Sequence, residues 1–560
     1  MPRRPRPIRA WQLPETAPAP TGQAAAIEAA LDRELVRRLG AVPLLLPILE
    51  QLGLRDRVNR RVHPTGDQPA DLDLGQVVQV LVFNRLLAPK PLVHVETWVA
   101  ETVLPDLLGV TADQCNDDRL ARALDGVSPH LDALWQDLIV GAIQAFDVDV
   151  SRLGYDLTSI AFCGEYEAAD LVTYGYSRDH RPDRQQVELA TTTAIAGGVP
   201  IDYRVLAGNV ADRTTPIANL RRLQGLLAQL PPREPGADPV RPLVISDRAM
   251  LTLEALVAYE ASDLRYLGPL DPSLGDGAVR ALLERVPAAE LADAPLAYRP
   301  QRTGDDPDWE RYHGVRRELV LPHPQMDQPP LRVRALVVWS PAKARLDAQL
   351  RMTHLARLEG ALQDLASKLG RRPYTTVAAV QKRVATLLRR HPARRLLTVR
   401  VEQGEAAPTL TWQRDEAHLA AAPEFDGRYV LGTNATELDA TAMLAESKRR
   451  DVPEKGYARL KGPLAVRPVY LHKQERILSL VFCTMVALLV YALLELLVRR
   501  AGLHLTGPAL LGQFAPVALV VLVCTDGTSL RRLTGLAPPL LAILDALGWP
   551  STDRYLTVHA

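Results

Sequence analysis

The order of strand and helix patterns after residue 150 is the feature that most restricts what this chain can fold into. Three segments rich in alternating or β-branched apolar residues follow one another between residues 151 and 207, and Gly197-Gly198 indicates a hairpin turn between the second and the third. The helix-start pattern NVADRTTPIANL comes next, followed by a short apolar strand in PLVIS and another helical pattern. The sequence therefore predicts the order βββαβα.

Two aspartates lie in or at the end of these predicted strands. Asp156 lies inside the first strand, although aspartate is disfavoured in strand interiors, and Asp247 ends the fourth. In a ribonuclease H fold the first and fourth strands are neighbours, so the two carboxylates would meet. Facing carboxylates repel each other, and divalent cations that neutralise them allow them to persist together. Considered separately, an edge-strand aspartate in water and a helix-capping aspartate are simpler interpretations.

A third acidic residue lies between two basic residues in SKRRDVPEKGYARLKGPLAVRPVYL. Arg450 precedes Glu454 by four positions and Lys461 follows it by seven, which correspond to one and two helical turns. The three side chains would share one face of a helix, with a metal-binding carboxylate between two cations that hold phosphate. Solvent-exposed charges on a helix are the alternative that this spacing alone leaves open.

The ordered motifs of the chain resemble those of the DDE transposases of bacterial insertion sequences, in the cut-and-paste branch with a Tyr-Arg-Glu-Lys signature. The resemblance extends over roughly residues 35 to 550. It is carried by CNDDRLARALD, YDLTS, GYSRDHRPDRQQVEL, LAGNVADRTT, VISDRAM, FDGRYVLGTN and EKGYARLKGPLAVRPVY. The resemblance implies an α/β fold with a ribonuclease H-like catalytic core, a helical N-terminal domain, and a β-rich insertion between the second and third catalytic carboxylates.

The resemblance also implies roles for individual residues. Asp156, Asp247 and Glu454 match the catalytic triad, which would hold two Mg²⁺ ions per active site, with Mn²⁺ as a substitute. Arg450 and Lys461 match the residues that grip phosphates near the transposon end. Two divalent ions assist the attacking and leaving oxygens of an in-line displacement. Water would first free a 3′ hydroxyl, which would then attack target DNA without a covalent protein intermediate.

The expected partner is double-stranded DNA, both the terminal inverted repeats of the element and the target. The resemblance further implies a homodimer assembled on paired ends, and the residues around the one long apolar run favour no membrane association. A catalytically decayed remnant that still binds the DNA ends is the alternative function. The three intact carboxylates, Asp156, Asp247 and Glu454, argue against that alternative.

The length of the chain predicts several domains, because 560 residues exceed what one hydrophobic core usually supports. Changes of periodicity and the resemblance together predict a disordered basic arm (1–24), a helical N-terminal domain suited to end-DNA binding (25–150), the first part of the ribonuclease H-like core (151–265), a β-rich insertion with a long helix and a basic run (266–424), the second part of the core (425–500) and a C-terminal helical region (501–560).

The strongest basic run of the chain lies within the predicted insertion. Residues 368–400 contain ten Lys or Arg and no acidic residue. These charges favour contact with the phosphate backbone over a merely solvated helix face, and four arginines near the end of the run are the expected contacts: Arg389, Arg390, Arg394 and Arg395.

One position departs from the family pattern. The signature places a tyrosine three residues before Arg450, where this chain has Ser447. Because base stacking on an aromatic ring contributes roughly 1 to 3 kcal/mol, we expect this chain to nick DNA but to handle the cleaved end less efficiently than relatives with tyrosine. The alternatives are that Tyr457, one turn beyond Glu454, supplies the aromatic contact, or that the copy is partly decayed.

Composition adds a prediction of compartment. The four cysteines lie far apart without metal-ligand spacing, which indicates a reducing cytoplasm, with nucleoid association when the protein is bound to DNA. Residues 477–494 are apolar over a length that reaches the lower limit of a membrane span. Their polar interruptions and charged surroundings favour a buried helix of a large domain.

Overall fold

The computed structural model describes residues 31–62, 72–163, 166, 169–179, 181–231, 241–298, 311–466 and 471–556. The predicted basic arm, residues 1–24, lies outside these ranges. The chain divides into two compact units, one formed by residues 1–129 with 497–560 and the other by residues 130–496. All of the candidate site residues belong to the second unit.

The strands of the described ranges are β1 (Leu31–Arg38), β2 (Arg152–Ala161), β3 (Gln186–Ala194), β4 (Val199–Ala207), β5 (Leu243–Ser246), β6 (Arg265–Pro269), β7 (His313–Leu321), β8 (Leu331–Trp339), β9 (Leu397–Gln403), β10 (Pro408–Arg414), β11 (Arg428–Thr433), β12 (Ala518–Cys524) and β13 (Ser529–Thr534).

The α-helices of the same ranges are α1 (Val42–Leu52), α2 (Leu54–Arg61), α3 (Leu74–Leu87), α4 (Val95–Ala100), α5 (Leu104–Leu108), α6 (Asp117–Val127), α7 (Leu131–Ala145), α8 (Pro216–Leu227), α9 (Leu253–Glu260), α10 (Leu274–Arg285), α11 (Ala288–Ala292), α12 (Pro341–Ala366), α13 (Val377–Leu388), α14 (Glu416–Ala421), α15 (Ala440–Lys448), α16 (Asp451–Lys461), α17 (Gln474–Arg500), α18 (Gly507–Phe514) and α19 (Pro538–Ala546).

A large mixed sheet organises the second unit, and the molecule is therefore a mixed α/β protein. The strand order is β4-β3-β2-β5-β6-β11-β8-β7. Strand β2 is antiparallel to β3 and parallel to β5, and β5 is parallel to β6. The predicted hairpin turn joins β3 to β4, and Gly197 and Gly198 adopt the positive φ values (92° and 69°) that glycine allows without steric cost.

The predicted order βββαβα is confirmed by β2, β3, β4, α8, β5 and α9, apart from short 3-10 turns. The first and fourth strands of this series are neighbours, as expected. Their parallel register pairs Arg152 with Leu243 and ends with Tyr155 opposite Ser246. Asp156 and Asp247 each follow that last pair directly, so the register brings both residues to the point at which the pairing of β2 with β5 ends.

Strands predicted between residues 266 and 424 occupy two different places. Strands β7 and β8 extend the large sheet, because β8 pairs with β11 and the side chains of Leu336 and Val338 join the core cluster beneath the sheet. Only β9 and β10 form a separate sheet of two strands, which packs with α12 and α13 around its own core cluster. The part that stands apart from the large sheet is therefore more helical than the predicted β-rich insertion.

The first unit contains a three-stranded sheet of order β1-β12-β13. The apolar spacing of residues 25–150 predicts helices, and most of the described segments there are helical, but Leu31–Arg38 is a strand. Likewise the predicted C-terminal helical region contains β12 and β13. Backbone pairing of β1 with the β-branched strand ALVVLVC outweighs the local helix preference of LDRELVRR, because tertiary context overrides weak propensities.

Helix α17 contains the long apolar run. Of the described helices it is the one whose length and composition would suffice to cross a membrane, and 94% of its apolar window is buried inside the protein. The ring of Phe482 packs edge-on against Trp135, with 6.5 Å between the centroids. This burial agrees with the predicted core helix.

Candidate active site

Asp156 is a mostly buried carboxylate at the centre of the candidate site. Burial is the largest cause that raises the pKa of Asp156 to about 7, and the negative charges of Glu454 and Asp247 raise it further. The positive charge of Arg178 acts in the opposite direction. The three carboxylates predicted from the sequence are therefore close enough to interact electrostatically.

Glu454 is carried by helix α16, which packs closely on strand β2. Gly154 permits this approach, since a Cβ atom at that position would lie 2.8 Å from Cγ of Pro453. The Tyr457 hydroxyl, one turn after Glu454, donates to the backbone carbonyl of Asp156 (2.6 Å) and lies 2.7 Å from the Thr191 hydroxyl. A phenol has one proton, so Thr191 is the donor in the second bond. These bonds hold the helix against β2 and β3.

The two predicted phosphate-binding cations both contact carboxylates from other parts of the unit. Arg450 Nη1 lies 3.2 Å from Oδ1 of Asp247, and both of these side chains are more than half exposed. Lys461 Nζ lies 2.7 Å from Oδ1 of Asp179, and both of these side chains are mostly buried. The structure therefore brings Arg450 to one of the three interacting carboxylates, whereas Lys461 is paired with Asp179, which is not one of them.

Arg178 is a site residue that the sequence motifs did not single out. Its guanidinium donates to two carboxylates, one on Glu188 and the other on Asp212. Burial raises the pKa of Glu188 to about 7, while the charge of Arg178 lowers it. Arg178 and Glu188 both lie in the motif GYSRDHRPDRQQVEL, but nothing in their spacing indicates that they form an ion pair.

A cleft of about 690 Å³ opens beside these residues. Arg178, Glu188 and Asp212 form part of its wall, together with Arg248, which directly follows Asp247. Tyr176 also lines the cleft. Because Arg248 directly follows Asp247, the cleft adjoins the C-terminal end of strand β5.

The donor set of the site suits a hard divalent cation, because Mg²⁺ prefers carboxylate oxygens and uses few protein ligands. Within the described ranges, however, no group of three or more His, Cys, Asp or Glu side chains is close enough to hold a metal ion. Instead, the Arg450 guanidinium contacts Asp247. In this conformation the three carboxylates interact by charge without forming a coordination group.

Ser447 and Tyr457 do not offer an aromatic contact to DNA. Ser447 is buried in helix α15, where its hydroxyl donates to the carbonyl of Leu444 at 2.7 Å. Tyr457 is buried as well, with its hydroxyl bonded to Asp156 and Thr191. The alternative that Tyr457 stacks on DNA is therefore wrong. The burial of Ser447 likewise gives no support to a contact between that residue and DNA.

The basic run forms an exposed surface in the part of the unit that contains α13 and β9. Helix α13 turns Val380 and Val384 into the local core and leaves Lys382 and Arg383 in solvent. All ten Lys and Arg of residues 368–400 are exposed. Across the described part of the chain, no acidic side chain forms an ion pair with the four predicted contacts, Arg389, Arg390, Arg394 and Arg395.

One family model matches part of the chain. A domain of unknown function, DUF4277, matches residues 35–140. No curated protein matches the chain. Among solved structures, the chain is similar to a cryo-EM structure of a piggyBac transposase synaptic complex with hairpin DNA, at 9% sequence identity and a TM-score of 0.38, over 94% of this chain and 86% of that chain. The family match ends before β2 and includes none of the candidate site residues.

Proposed function

We propose that this chain is a DNA transposase of the DDE type, which cleaves the ends of an insertion sequence and transfers them into target DNA. The observation that carries the proposal is the convergence at Asp156, because the charges of Asp247 and Glu454 both act on it and the parallel pairing of β2 with β5 ends just before the two aspartates. Like charges brought together in a partly buried place destabilise the fold, and a carboxylate whose pKa is raised, as that of Asp156 is, is typical of functional sites.

The sheet topology supports a ribonuclease H-like core within this proposal. Strands β4, β3 and β2 form an antiparallel meander, and β5 and β6 continue from β2 in parallel. This is the arrangement expected for that core, with the two aspartates on neighbouring strands. Strands β11, β8 and β7 would then be an antiparallel extension of it.

Asp156, Asp247 and Glu454 would hold Mg²⁺, with Mn²⁺ as a substitute and two ions per site. When bound, such ions supply charge stabilisation to the attacking and leaving oxygens of phosphodiester cleavage. Asp247 would have to exchange the Arg450 guanidinium for a metal ion. Arg450 would then be free to bind a DNA phosphate.

The remaining residues of the site would position these groups. Tyr457 fixes helix α16, and with it Glu454, against the strand of Asp156. Arg450, the N-cap of this helix, and Lys461, its last residue, would bind the phosphates of the element end. The exposed arginines at positions 389, 390, 394 and 395 would add sequence-independent attraction to the backbone of the duplex.

The proposed substrates are the terminal inverted repeats of the element and the target duplex, bound by a homodimer on paired ends in the cytoplasm. Hydrolysis would free a 3′ hydroxyl, and that hydroxyl would attack the target phosphodiester and displace its 3′ oxygen. The phosphoryl group of the target passes directly from one DNA oxygen to another, so no covalent protein intermediate is needed.

A cleavage assay with the DNA that flanks the gene tests this proposal. The purified chain is expected to nick a duplex containing the inverted repeat when Mg²⁺ or Mn²⁺ is present and not in EDTA. Asp156→Asn and Asp247→Asn should abolish nicking while retaining duplex binding, whereas the exposed control Glu405→Gln should cleave normally. Specific end binding by the wild type without any cleavage would instead identify a decayed, end-binding remnant.

A further inference from the structure

Two large aromatic side chains near the cleft are exposed to solvent. The side chain of Tyr174 is 63% exposed and that of Tyr176 is 84% exposed. They flank Gly175 in the segment that leads to Arg178. Exposed aromatic rings separated by one residue in a well-ordered segment form a surface that is suited to binding.

The backbone of this segment is fixed to the sheet. Thr173 and Gln186 exchange two backbone hydrogen bonds (3.0 and 2.8 Å), and the Gln186 side chain donates to the carbonyl of Tyr176 (3.0 Å). Gly175 faces the protein so closely that a Cβ atom there would lie 1.8 Å from the carbonyl oxygen of Gly208. The residues on either side of an inward-facing position in an extended segment point outward. The two tyrosine rings are therefore presented to solvent on a rigid support.

Tyr176 lies at the cleft of the candidate active site, and Tyr174 is two residues before it in the chain. Tyr176 lines the cleft of about 690 Å³ together with Arg178 and Arg248. Arg178 acts electrostatically on Asp156, and Arg248 directly follows Asp247. A molecule that stacks on Tyr176 would consequently lie in the cleft that Arg178 and Arg248 line.

The charges of the cleft indicate which part of a DNA strand would enter it. The acidic residues of its lining are Glu188, Asp212, Glu254, Asp271 and Asp276, and the basic ones are Arg178, Arg213 and Arg248. Two of those arginines already contact acidic side chains of the lining. An acidic surface repels phosphates but not neutral bases, so the bases would face the cleft while the backbone stays outside.

We propose that Tyr174 and Tyr176 form a stacking platform for unpaired bases of a DNA strand at this site. Bases in an intact duplex stack on one another, so a free aromatic ring selects for a strand that has been locally unpaired. Rings held on a fixed backbone bind with little loss of conformational entropy. The inference rests on the proposed function, and it assigns the aromatic contact to residues other than Ser447 and Tyr457.

Binding of short single-stranded and duplex oligonucleotides of one sequence, measured by fluorescence anisotropy in EDTA, tests the platform without any catalysis. Tyr176→Ala is expected to weaken single-strand affinity by about 5-fold to about 140-fold, and duplex affinity much less. Tyr176→Phe keeps the ring and should retain affinity. Phe425→Ala removes another exposed ring away from the cleft and should change neither affinity.

A 2-aminopurine base in the single strand reports stacking directly. Its emission should be quenched on binding to the wild type and to Tyr176→Phe, and less so with the double substitution of Tyr174 and Tyr176 by alanine. Equal losses for single strand and duplex, or unchanged quenching, would overturn the platform. A change in oligomeric state with unchanged DNA affinity would do so as well, by assigning the tyrosines to a protein interface. Nicking of end DNA by the wild type is scored separately, so failure of the platform is distinguishable from failure of the proposed function.

Discussion

The hydroxyl of Tyr457 donates a hydrogen bond of 2.6 Å to the backbone carbonyl of Asp156. Both residues belong to the predicted active-site motifs, but they lie on different elements, helix α16 and strand β2. The bond fixes the helix that carries Glu454 against the strand that carries the central aspartate. We therefore expect the buried Tyr457 to contribute by positioning this helix and not by touching DNA.

Replacing Tyr457 by phenylalanine should therefore affect both stability and catalysis. The buried carbonyl of Asp156 and hydroxyl of Thr191 would each lose a partner, which should lower the free energy of unfolding by about 1–3 kcal/mol in urea denaturation. Cleavage should slow while duplex affinity stays unchanged, since the tyrosine does not touch DNA. Tyr174→Phe alters a largely exposed hydroxyl and is the matched control.

Adding Thr191→Val to Tyr457→Phe provides the second arm of this test. It removes the unpaired hydroxyl, so the double variant should lose less stability than the sum of the two single changes. Strict additivity would show that the two hydroxyls do not act as a pair.

The raised pKa of Asp156 predicts that the ionised carboxylate lowers the stability of the fold although cleavage requires it. Burial raises the pKa of Asp156 and of Glu188 to about 7, so the folded protein binds these protons more tightly than the unfolded chain does. The free energy of unfolding of the metal-free protein should then fall as the pH rises from about 4 to about 7, and should level off above that.

Asp156→Asn removes one of the two groups responsible for this pH dependence. In EDTA, urea denaturation should show a variant that is more stable than the wild type at pH values above about 7 and has a shallower pH dependence below it. The same variant should not cleave DNA. An Asp156→Asn protein with an unaltered pH profile of stability would contradict the assigned cause.

Local patterns in the sequence were sufficient to predict the part of the fold that holds the two aspartates. Alternating apolar residues indicate the strands, Gly197-Gly198 indicates the turn, and the order of elements limits which strands can be neighbours. The register of β2 with β5 then confirms that Tyr155 lies opposite Ser246, immediately before the two aspartates. Helical spacing similarly predicted that Arg450, Glu454 and Lys461 lie on one helix, α16, or at its N-cap.

Contacts between residues distant in sequence were not predictable in this way. Arg178 meets Asp212 only because the segment after β2 returns across the ends of β3 and β4. Strands β7 and β8 join the large sheet only because β11 offers a free edge. The strand Leu31–Arg38 depends on a partner almost 500 residues away, so no local pattern could distinguish it from a helix.

Gly175→Ala tests how firmly the tyrosine segment is fixed. Its Cβ atom would lie 1.8 Å from the carbonyl oxygen of Gly208, a backbone atom that cannot move aside without breaking the neighbouring bonds. We expect lower thermal stability and loss of single-strand binding. Gly225→Ala is the matched control, because it adds a methyl group with nothing within 4 Å in an exposed helical position. That change should stabilise the protein by up to about 1 kcal/mol.

The exposed arginines predict a specific change in salt dependence. Replacing Arg389, Arg390, Arg394 and Arg395 by glutamine should lower the slope of log affinity against log salt concentration by about 0.9 for each DNA phosphate that the protein no longer neutralises. Fluorescence anisotropy over a salt series measures that slope. Arg332→Gln changes a similarly exposed arginine that is paired with Glu318, and should leave the slope near that of the wild type. An unaltered slope in the fourfold variant would make the basic run a solvated surface that does not bind DNA.

The Arg450–Asp247 pair predicts opposite effects on metal and DNA binding. Removing the guanidinium with Arg450→Gln frees a carboxylate of the candidate triad, so Mn²⁺ should bind the DNA-free protein more tightly. Exposed ion pairs contribute only about 0.2–1 kcal/mol, which limits the gain to about fivefold at most. Affinity for end DNA should fall at the same time, since glutamine cannot form an ion pair with a DNA phosphate.

Arg449→Gln is the control that separates exchange at Asp247 from a general change in charge. It removes an equal charge from the neighbouring residue, whose guanidinium contacts Glu446 and not Asp247. Isothermal titration with Mn²⁺ should therefore show a tighter site for Arg450→Gln than for Arg449→Gln. Equal Mn²⁺ affinities in the two variants would mean that the guanidinium does not compete with metal for Asp247, and the proposed exchange between the metal-free and DNA-bound states would have to be abandoned.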